Sequence, residues 1–516
     1  MADDLAVAEL QRRIELLNAV GIRLSSEPSE DALLEAILLG AKQITGADAG
    51  SIYTVDPDKG EIRFRIVVND SLAIRYGGPG APRPPFRPIP LRVGGIDNHS
   101  SVVAHAVLSG SSVHIPDAYA VEGFDFSGTR AFDATTGYRS TSFLTVPMRD
   151  HEGVITGVLQ LINATDWDGR AVPFADDVRQ VVESLASQAA TAISQRQLIT
   201  GMRELLEAFI RLIATAIDEK SPHTGGHCKR VPELTMLLAE AAHRADRGPL
   251  AGFAMSDADR YELRIAAWLH DCGKITTPEW VVDKATKLQG LHDRIEIVAA
   301  RFAAAAAADP ARRAALADDL TFLRRCNTGG ESMRPEDQER VRTIAEGTWP
   351  DLDGSAQPLL TAHEIRCLCI PRGTLLPEER EIINHHIVAT IRMLESLPYP
   401  RHLRRVPEFA GGHHERMDGK GYPRGLRGEQ MSVQARVMAI ADVFEALTAG
   451  DRPYKKAYTL SQALGILGRM RLDGHIDPDL FDIFIRSGVW RDYAEMHLAP
   501  TQRDSVDLET IPGYAG

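Results

Sequence analysis

Apolar residues change their period along this chain. Near the start, Leu10, Ile14 and Leu17 fall at helical spacing within residues 5–22, which predicts an amphipathic lead-in helix. From about 30 to 195 the pattern is mixed. SEDALLEAILLGAKQI predicts a helix opened by a Ser cap, AGSIYTVD and EIRFRIVV alternate as strands, SSVVAHAVLSG is helical, and SSVHIPD enters a strand. TSFLTVPMRDHEGVITGVLQLINA predicts a strand, a turn built on Asp150–Gly153 and a second strand, with a helix from about 174. That order predicts an antiparallel sheet with helices on one side, an α+β module.

The helix after the sheet is long. Val178, Val182, Leu185, Ala189, Ala192, Arg196 and Ile199 step 4-3-4-3-4-3, a coiled-coil-like seam that resumes at Met202, Leu206, Phe209, Ile213 and Ala216 after a register slip beside Gly201. A packed helix with an imperfect repeat gives this pattern; so does a dimer stalk with a weak point, the reading adopted here. From about 205 to 500 the pattern is helical almost throughout. Within it, 285–372 reads as a helical insert, Ala-rich (RFAAAAAADPARRAALADDL) with polar, loop-like stretches such as CNTGGESMRPEDQE.

Composition narrows the class. A chain of 516 residues exceeds one ordinary core, so two or three domains are expected. A net charge of -13 argues against wrapping nucleic acid or hugging an anionic membrane, so phosphate-bearing ligands need a local cluster of cations or metals. Five cysteines (Cys228, Cys272, Cys326, Cys367, Cys369) make no disulfide framework, and Cys367 with Cys369 lacks the second pair of a zinc site. The acidic MADDLAVAEL start lacks a signal-peptide layout, and no apolar run approaches the roughly 20 residues that cross a bilayer, so a cytoplasmic location is expected.

Several polar residues sit inside apolar helical runs, where burial demands a partner. His270 and Asp271 end RIAAWLHDCGKI; His386 lies in REIINHHIVATIRML on the face of Ile383, Thr390 and Met393; His413 and His414 open HHERMDGKGYP; Asp442 interrupts RVMAIADVFEAL. Four imidazoles and two carboxylates without a thiolate suit a two-metal site of manganese or iron, with zinc compatible. Two such ions about 3.5–4 Å apart can share and acidify a water. Asp271 can bridge both ions; Lys274, a turn away, sets a cation beside them. Arg452 offers a planar fork to an anion or pairs with Asp451. Tyr422, in a loop shaped by Gly419, Gly421 and Pro423, presents a ring to a ligand or fills a core. Glu415 is expected to orient His413 or His414.

On HDCGK (270–274), HHERMDGKGYP (413–423) and ADVFEALTAGDRPYK (441–455), in that order, residues 205–500 resemble the HD-GYP family of metal phosphohydrolases, which cleave cyclic dinucleotides, chiefly cyclic di-GMP. The resemblance implies metal ligation by His270, Asp271, His386, His413, His414 and Asp442. It adds His227 of GHCKRV, and phosphate contacts by Lys274, Arg452 and Lys455. Some members hold a third metal with a Glu where this chain has His223, so a third ion rests on that residue. His270 and His386 are separated by more than is typical of the family, the gap being filled by the insert, and TAGDRPYK carries one extra residue, Gly450.

Residues 30–195 resemble a GAF domain, a small-molecule sensor, on FDATTGYRSTSFLTVPM and GVITGVLQLINATD. Its cyclic-nucleotide-binding branch is the nearest, which places Phe132, Asp133, Thr141 and Ser142 in a pocket; the absence of cysteine here excludes covalent bilin attachment. The expected layout is an N-terminal helix (1–29), a GAF domain (30–177), a linker and dimerisation helix (178–216), an all-α HD-GYP domain (217–500) carrying the insert, and a tail (501–516). The expected function is hydrolysis of cyclic di-GMP to the linear dinucleotide or GMP in a GAF-regulated homodimer, with a diguanylate cyclase as candidate partner. The alternatives are cyclic GMP-AMP as substrate, or a low-turnover cyclic di-GMP receptor or scaffold.

Overall fold

The computed structural model describes residues 15, 18–22, 29–220, 226–329, 332–450 and 457–514. They fall into two compact units, Met1–Glu204 and Leu205–Gly516. In the first, Ser29 accepts from the Ala32 amide and Gly46 takes φ 67°, so α1 runs Glu30–Thr45 between two caps. Strands β1 (Ala47–Asp56), β2 (Glu61–Asn69), β3 (Ile74–Tyr76), β4 (Val113–Ile115), β5 (Phe143–Arg149) and β6 (Ile155–Thr165) pair antiparallel in the order β3-β2-β1-β6-β5-β4. Two-residue strands at Ile89–Pro90 and Ala171–Val172 extend β2 and β6. The expected turn is present: the Gly153 amide donates to the Asp150 carbonyl between β5 and β6.

Helices α2 (Val102–Ser109), α3 (Ser127–Thr136) and α4 (Asp176–Lys220) complete the unit. The expectation of helices on one side is corrected, because both faces are covered. Leu34 and Ile37 of α1 and Val182, Leu185 and Ala189 of α4 pack on Ile52, Val146 and Leu159. On the opposite face Val103 of α2 meets Tyr53, Ile62 and Val158, while Val102 meets Phe143. The cause is local: neighbours Ile52 and Tyr53, and Val158 and Leu159, are all buried although they point to opposite faces. Helix α3 went unforeseen because it lacks an apolar face; its one buried residue is Asp133. Of the lead-in helix, residues 18–22 are helical and Val20 joins the core, whereas Leu10, Ile14 and Leu17 lie outside the described residues.

Helix α4 runs 45 residues, continuous through Gly201. Its expected seam splits by environment. Val178, Val182, Leu185 and Ala189 are buried, Ala192 and Arg196 partly so, and Ile199 is exposed. Leu198, Ile199, Met202, Leu205, Leu206, Phe209, Leu212 and Ile213 form an exposed apolar run, and Ile210, Ala214 and Ile217 enter the second core.

In the second unit, α5 (His227–His243), α6 (Asp257–Leu269), α11 (Pro377–Glu395), α12 (Val406–Gly411), α13 (Val433–Thr448), α14 (Leu460–Leu472), α15 (Pro478–Arg486) and α16 (Val489–His497) build an α-helical bundle. Between them α7 (Ile295–Ala308), α8 (Arg313–Asn327), α9 (Pro335–Ala345) and α10 (Ala362–Leu368) surround a separate small core that includes Leu288, Phe302, Phe322, Val341 and Leu368. This segment departs from expectation twice. It holds a short antiparallel hairpin, Thr348–Pro350 with Ala356–Pro358. The stretch taken as loop-like is helical from Pro335, a proline at the first helical turn where its missing N–H is no loss. The segment closes at its root: Lys284 Nζ meets both Glu379 oxygens at 2.7 and 2.8 Å, both side chains buried, and buried Lys287 donates to the Leu368 and Ile370 carbonyls at 3.0 and 2.7 Å.

Candidate functional site

Five parts of the bundle converge. His227 is the first residue of α5; His270 ends α6, and Asp271 leads into a 3-10 helix, Cys272–Thr276, that carries Lys274. His386 comes from the middle of α11, His413 and His414 from the turn after α12, and Asp442 from α13. The turn carrying Asp271 can lie against α11 only because residue 273 is glycine. A Cβ there would stand 2.5 Å from the Thr390 amide, whereas the Gly273 amide now donates to Thr390 Oγ1 at 2.8 Å.

Two groups of ligand atoms result, each with its members within 4.8 Å of one another: Asp271, His386, His413 and His414; and His227, His270 and Asp442. Asp271 touches both. Its Oδ1 lies 3.3 Å from His386 Nε2, and its Oδ2 lies 3.1 Å from His227 Nε2 and 3.3 Å from His270 Nε2. Asp442 Oδ1 is 3.3 Å from His227 Nε2. His270, His386 and His413 each donate Nδ1–H to the carbonyl three residues earlier, of Ala267, Ile383 and Ala410. That fixes the tautomer and turns the Nε2 lone pair inward.

The donors fit divalent cations. Asp271 Oδ1 and His413 Nε2 are buried and have no hydrogen-bond partner among the described residues. The Nε2 atoms of His386 and His414 approach to 3.1 Å and those of His227 and His270 to 3.3 Å, distances at which two lone pairs need a proton or a cation between them. Burial and the neighbouring His270 lower His413 to about 4, and burial with His413 holds His414 well below the usual imidazole range, so both rings are neutral. Burial would raise Asp271, yet Lys274 and His270 hold it ionised; burial would likewise raise Asp442, yet His227 keeps it charged. Burial works against the His227 imidazolium, but Glu445, Asp271 and Asp442 outweigh it, so this ring holds a proton that a metal would displace. Thiolate ligation has no support: burial pushes the Cys228 thiol far up and Cys272 to about 11.

Around the centre, Lys274 Nζ contacts Asp271 Oδ2, and a cleft lined by Asp218, Lys220, Lys274 and Glu279 opens onto His227 and Asp271. Tyr422 stacks on His414 with ring centroids 4.9 Å apart at 23°, and burial with Asp442 and Asp271 nearby pushes its hydroxyl up to about 12. Its loop passes so close that a Cβ on Gly421 would stand 2.5 Å from Glu415 Cα. His223, Arg452 and Lys455 lie outside the described residues.

One expectation is corrected. Glu415 does not orient a histidine: its buried carboxylate accepts from the Arg424 and Leu426 amides at 2.7 and 2.9 Å, pinning the loop that carries Tyr422. The carboxylate that does orient a ring is Glu445, fully buried on α13, which accepts from His227 Nδ1 and from Arg230 Nε at 2.7 Å. Its signal was present in ADVFEAL, an acid one turn beyond Asp442 in an apolar run.

The first unit holds a cavity of about 390 Å³ between the sheet and helices α2 and α3. Of the four residues expected there, Phe132 lines it. Asp133, Thr141 and Ser142 do not, because their polar groups serve the backbone and neighbours. Asp133 accepts from Tyr119 Oη and the Ser140 amide, the Thr141 and Ser142 amides donate to Asn163 Oδ1, and Ser142 Oγ donates to the Val172 carbonyl.

Comparison with known proteins agrees with this division. Residues 29–193 match the GAF domain family, and residues 224–342 and 362–480 each match an HD domain family. Among curated proteins, a 3'3'-cGAMP-specific phosphodiesterase of Vibrio cholerae is 28% identical over 59% of this chain and 46% of its own. A cyclic di-GMP phosphodiesterase of Pseudomonas aeruginosa is 35% identical over 24% of this chain and 30% of its own. A cyclic di-GMP phosphodiesterase response regulator of Xanthomonas campestris pv. campestris is 49% identical over 24% and 34%. The chain thus spans less than half the length of each of these relatives. No helix among the described residues is long and apolar enough to cross a membrane.

Proposed function

The chain carries a GAF domain followed by an HD domain, and from that premise we propose that its helical unit is a metal-dependent phosphodiesterase of cyclic dinucleotides. The observation that carries this is the pair of ligand groups meeting at Asp271, with two buried ligand atoms that no group among the described residues satisfies. Two divalent cations bound there would supply Lewis-acid charge to a phosphodiester and a more acidic water. His270, His386, His413 and His414 would hold them through imidazole nitrogen, with His227, Asp442 and Asp271 as the remaining donors. Nitrogen and carboxylate oxygen without thiolate favour iron or manganese. A third ion belongs to this reading only through His223.

The chain's own side chains do the rest. Lys274 is held protonated against the cost of burial by Asp271 and Asp442, and offers its charge to a non-bridging phosphate oxygen. Tyr422, laid on His414 and fixed by the Glu415-pinned loop, forms a flat floor for a base. Arg452 and Lys455 are assigned to the second phosphate. Cyclic di-GMP is the substrate adopted. 3'3'-cGAMP is the second reading, favoured by the longest of the matches described above.

The deciding experiment incubates anaerobically purified protein, loaded with iron or manganese, with each dinucleotide and separates the products by chromatography. Linear dinucleotide is expected from at least one substrate and none from Asp271→Ala. Metal-loaded wild type that cleaves neither would overturn the enzyme reading in favour of a receptor.

A further inference from the structure

The cavity of the first unit selects its ligand by what its walls lack. Among the described residues no Lys, Arg or His lines it. Phe64, Phe126, Phe132 and Phe143 contribute aromatic surface, and Phe86, 37% exposed at the mouth, packs on Phe64 with centroids 4.8 Å apart.

Its polar lining groups are largely engaged with the protein. Tyr53 Oη donates to Gln160 Oε1 at 2.9 Å, and Gln160 Nε2 donates to Thr145 Oγ1 at 3.0 Å. Tyr138 Oη donates to Asp48 at 2.6 Å and accepts from Asn163 at 3.0 Å; Asn69 Oδ1 accepts from the Leu72 amide at 2.9 Å. Ser140 Oγ donates to Asp133 at 2.8 Å.

Two helix starts lie at the cavity wall, the place where a phosphate is ordinarily attracted, and a side chain caps each. At α2 the Ser101 hydroxyl accepts from the Ala104 amide, and at α3 Asp125 Oδ1 accepts from the Ser127 amide at 2.8 Å, a bond that keeps its carboxyl below the usual range. A phosphate at α3 meets a carboxylate rather than a cation, and at α2 it displaces a cap with no cation among the described lining residues to compensate its lost hydration.

We propose that this cavity binds an uncharged, largely apolar molecule bearing an aromatic ring, and that it excludes cyclic nucleotides. Its volume lies within the range of small-molecule sites, and the rings around it offer stacking partners at low desolvation cost. The ligand expected of a nucleotide-sensing domain is thereby replaced by one of opposite polarity. This inference is independent of the reaction assigned to the helical unit.

The test is a fluorescence titration of the full-length protein with N-phenyl-1-naphthylamine, a neutral aromatic probe that brightens in apolar surroundings. Saturable binding at one probe per chain is expected, undisturbed by a large excess of cyclic AMP or cyclic GMP. Thr129→Trp at the cavity wall and Ala49→Leu on its floor should each weaken the probe about tenfold or more. Phe209→Glu, on the exposed run of α4, should leave the titration unchanged and so separates the cavity from that surface. Displacement of the probe by either nucleotide would overturn the proposal. So would wild-type affinity in both cavity variants, provided each melts at the wild-type temperature, or a titration abolished by Phe209→Glu.

Discussion

Glu445 accepts from two donors at once, the His227 ring and the Arg230 guanidinium, with no exposed surface of its own. Replacing it by Gln keeps the volume but removes the charge that steadies His227. Metal affinity, measured by competition with a chelator and by metal content per chain, is expected to fall about 10–100-fold with the fold retained. Wild-type affinity in Glu445→Gln would reduce Glu445 to a structural partner of Arg230. The contrast with Glu415 shows what a sequence exposes and what it conceals. His270, His386 and Asp442 stand out because each is polar within an apolar helical run, and His413 with His414 as an adjacent pair, signals independent of tertiary structure. The task of an acid beside them depends on which way a turn faces. Glu415 adjoins His414 in sequence but points into its own loop, while Glu445, distant in sequence from His227, reaches it across the packing of α13 on α5.

At the scale of elements, the root of the 285–372 segment is the informative place. Lys284 and Glu379 form a buried pair of opposite charges, and Glu379 also accepts from the Leu376 amide at the start of α11, the helix that carries His386. Removing one partner leaves a buried charge unanswered. Lys284→Met or Glu379→Gln alone is therefore expected to cost about 3–5 kcal/mol in urea unfolding, and the double variant less than the two together. Additive losses would mean that the pair is not coupled. The period of the sequence identified strands β1, β2, β4, β5 and β6 and the helical character of the second unit. It missed coverage on both sheet faces because β1 reads as an alternating strand, although in β1, as in β6, neighbouring residues are buried on opposite sides. It missed α3 because that helix buries an aspartate rather than an apolar stripe.

For the whole molecule, one helix contributes to two cores: Val178 to Ile193 of α4 belong to the first, and Ile210, Ala214 and Ile217 to the second. The proposed homodimer along α4 rests on the exposed apolar run from Leu198 to Ile213, which begins after the first of these segments and overlaps the second. Light scattering is expected to give twice the chain mass for the wild type and the single mass for Phe209→Glu; a monomeric wild type would sink the stalk reading. The spacing of the ligands has a further consequence, in time rather than space. His227, His270 and Asp271 leave the ribosome long before His413, His414 and Asp442. At ~5–20 residues per second, roughly 7–28 s separate Asp271 from His413, and the insert accounts for more than half of that interval. During it the nascent chain displays half a site, two imidazoles and a carboxylate without the helices that bury them. The assembled set of imidazoles and carboxylates is therefore a late acquisition in the life of each chain, completed only after residue 442 has been made.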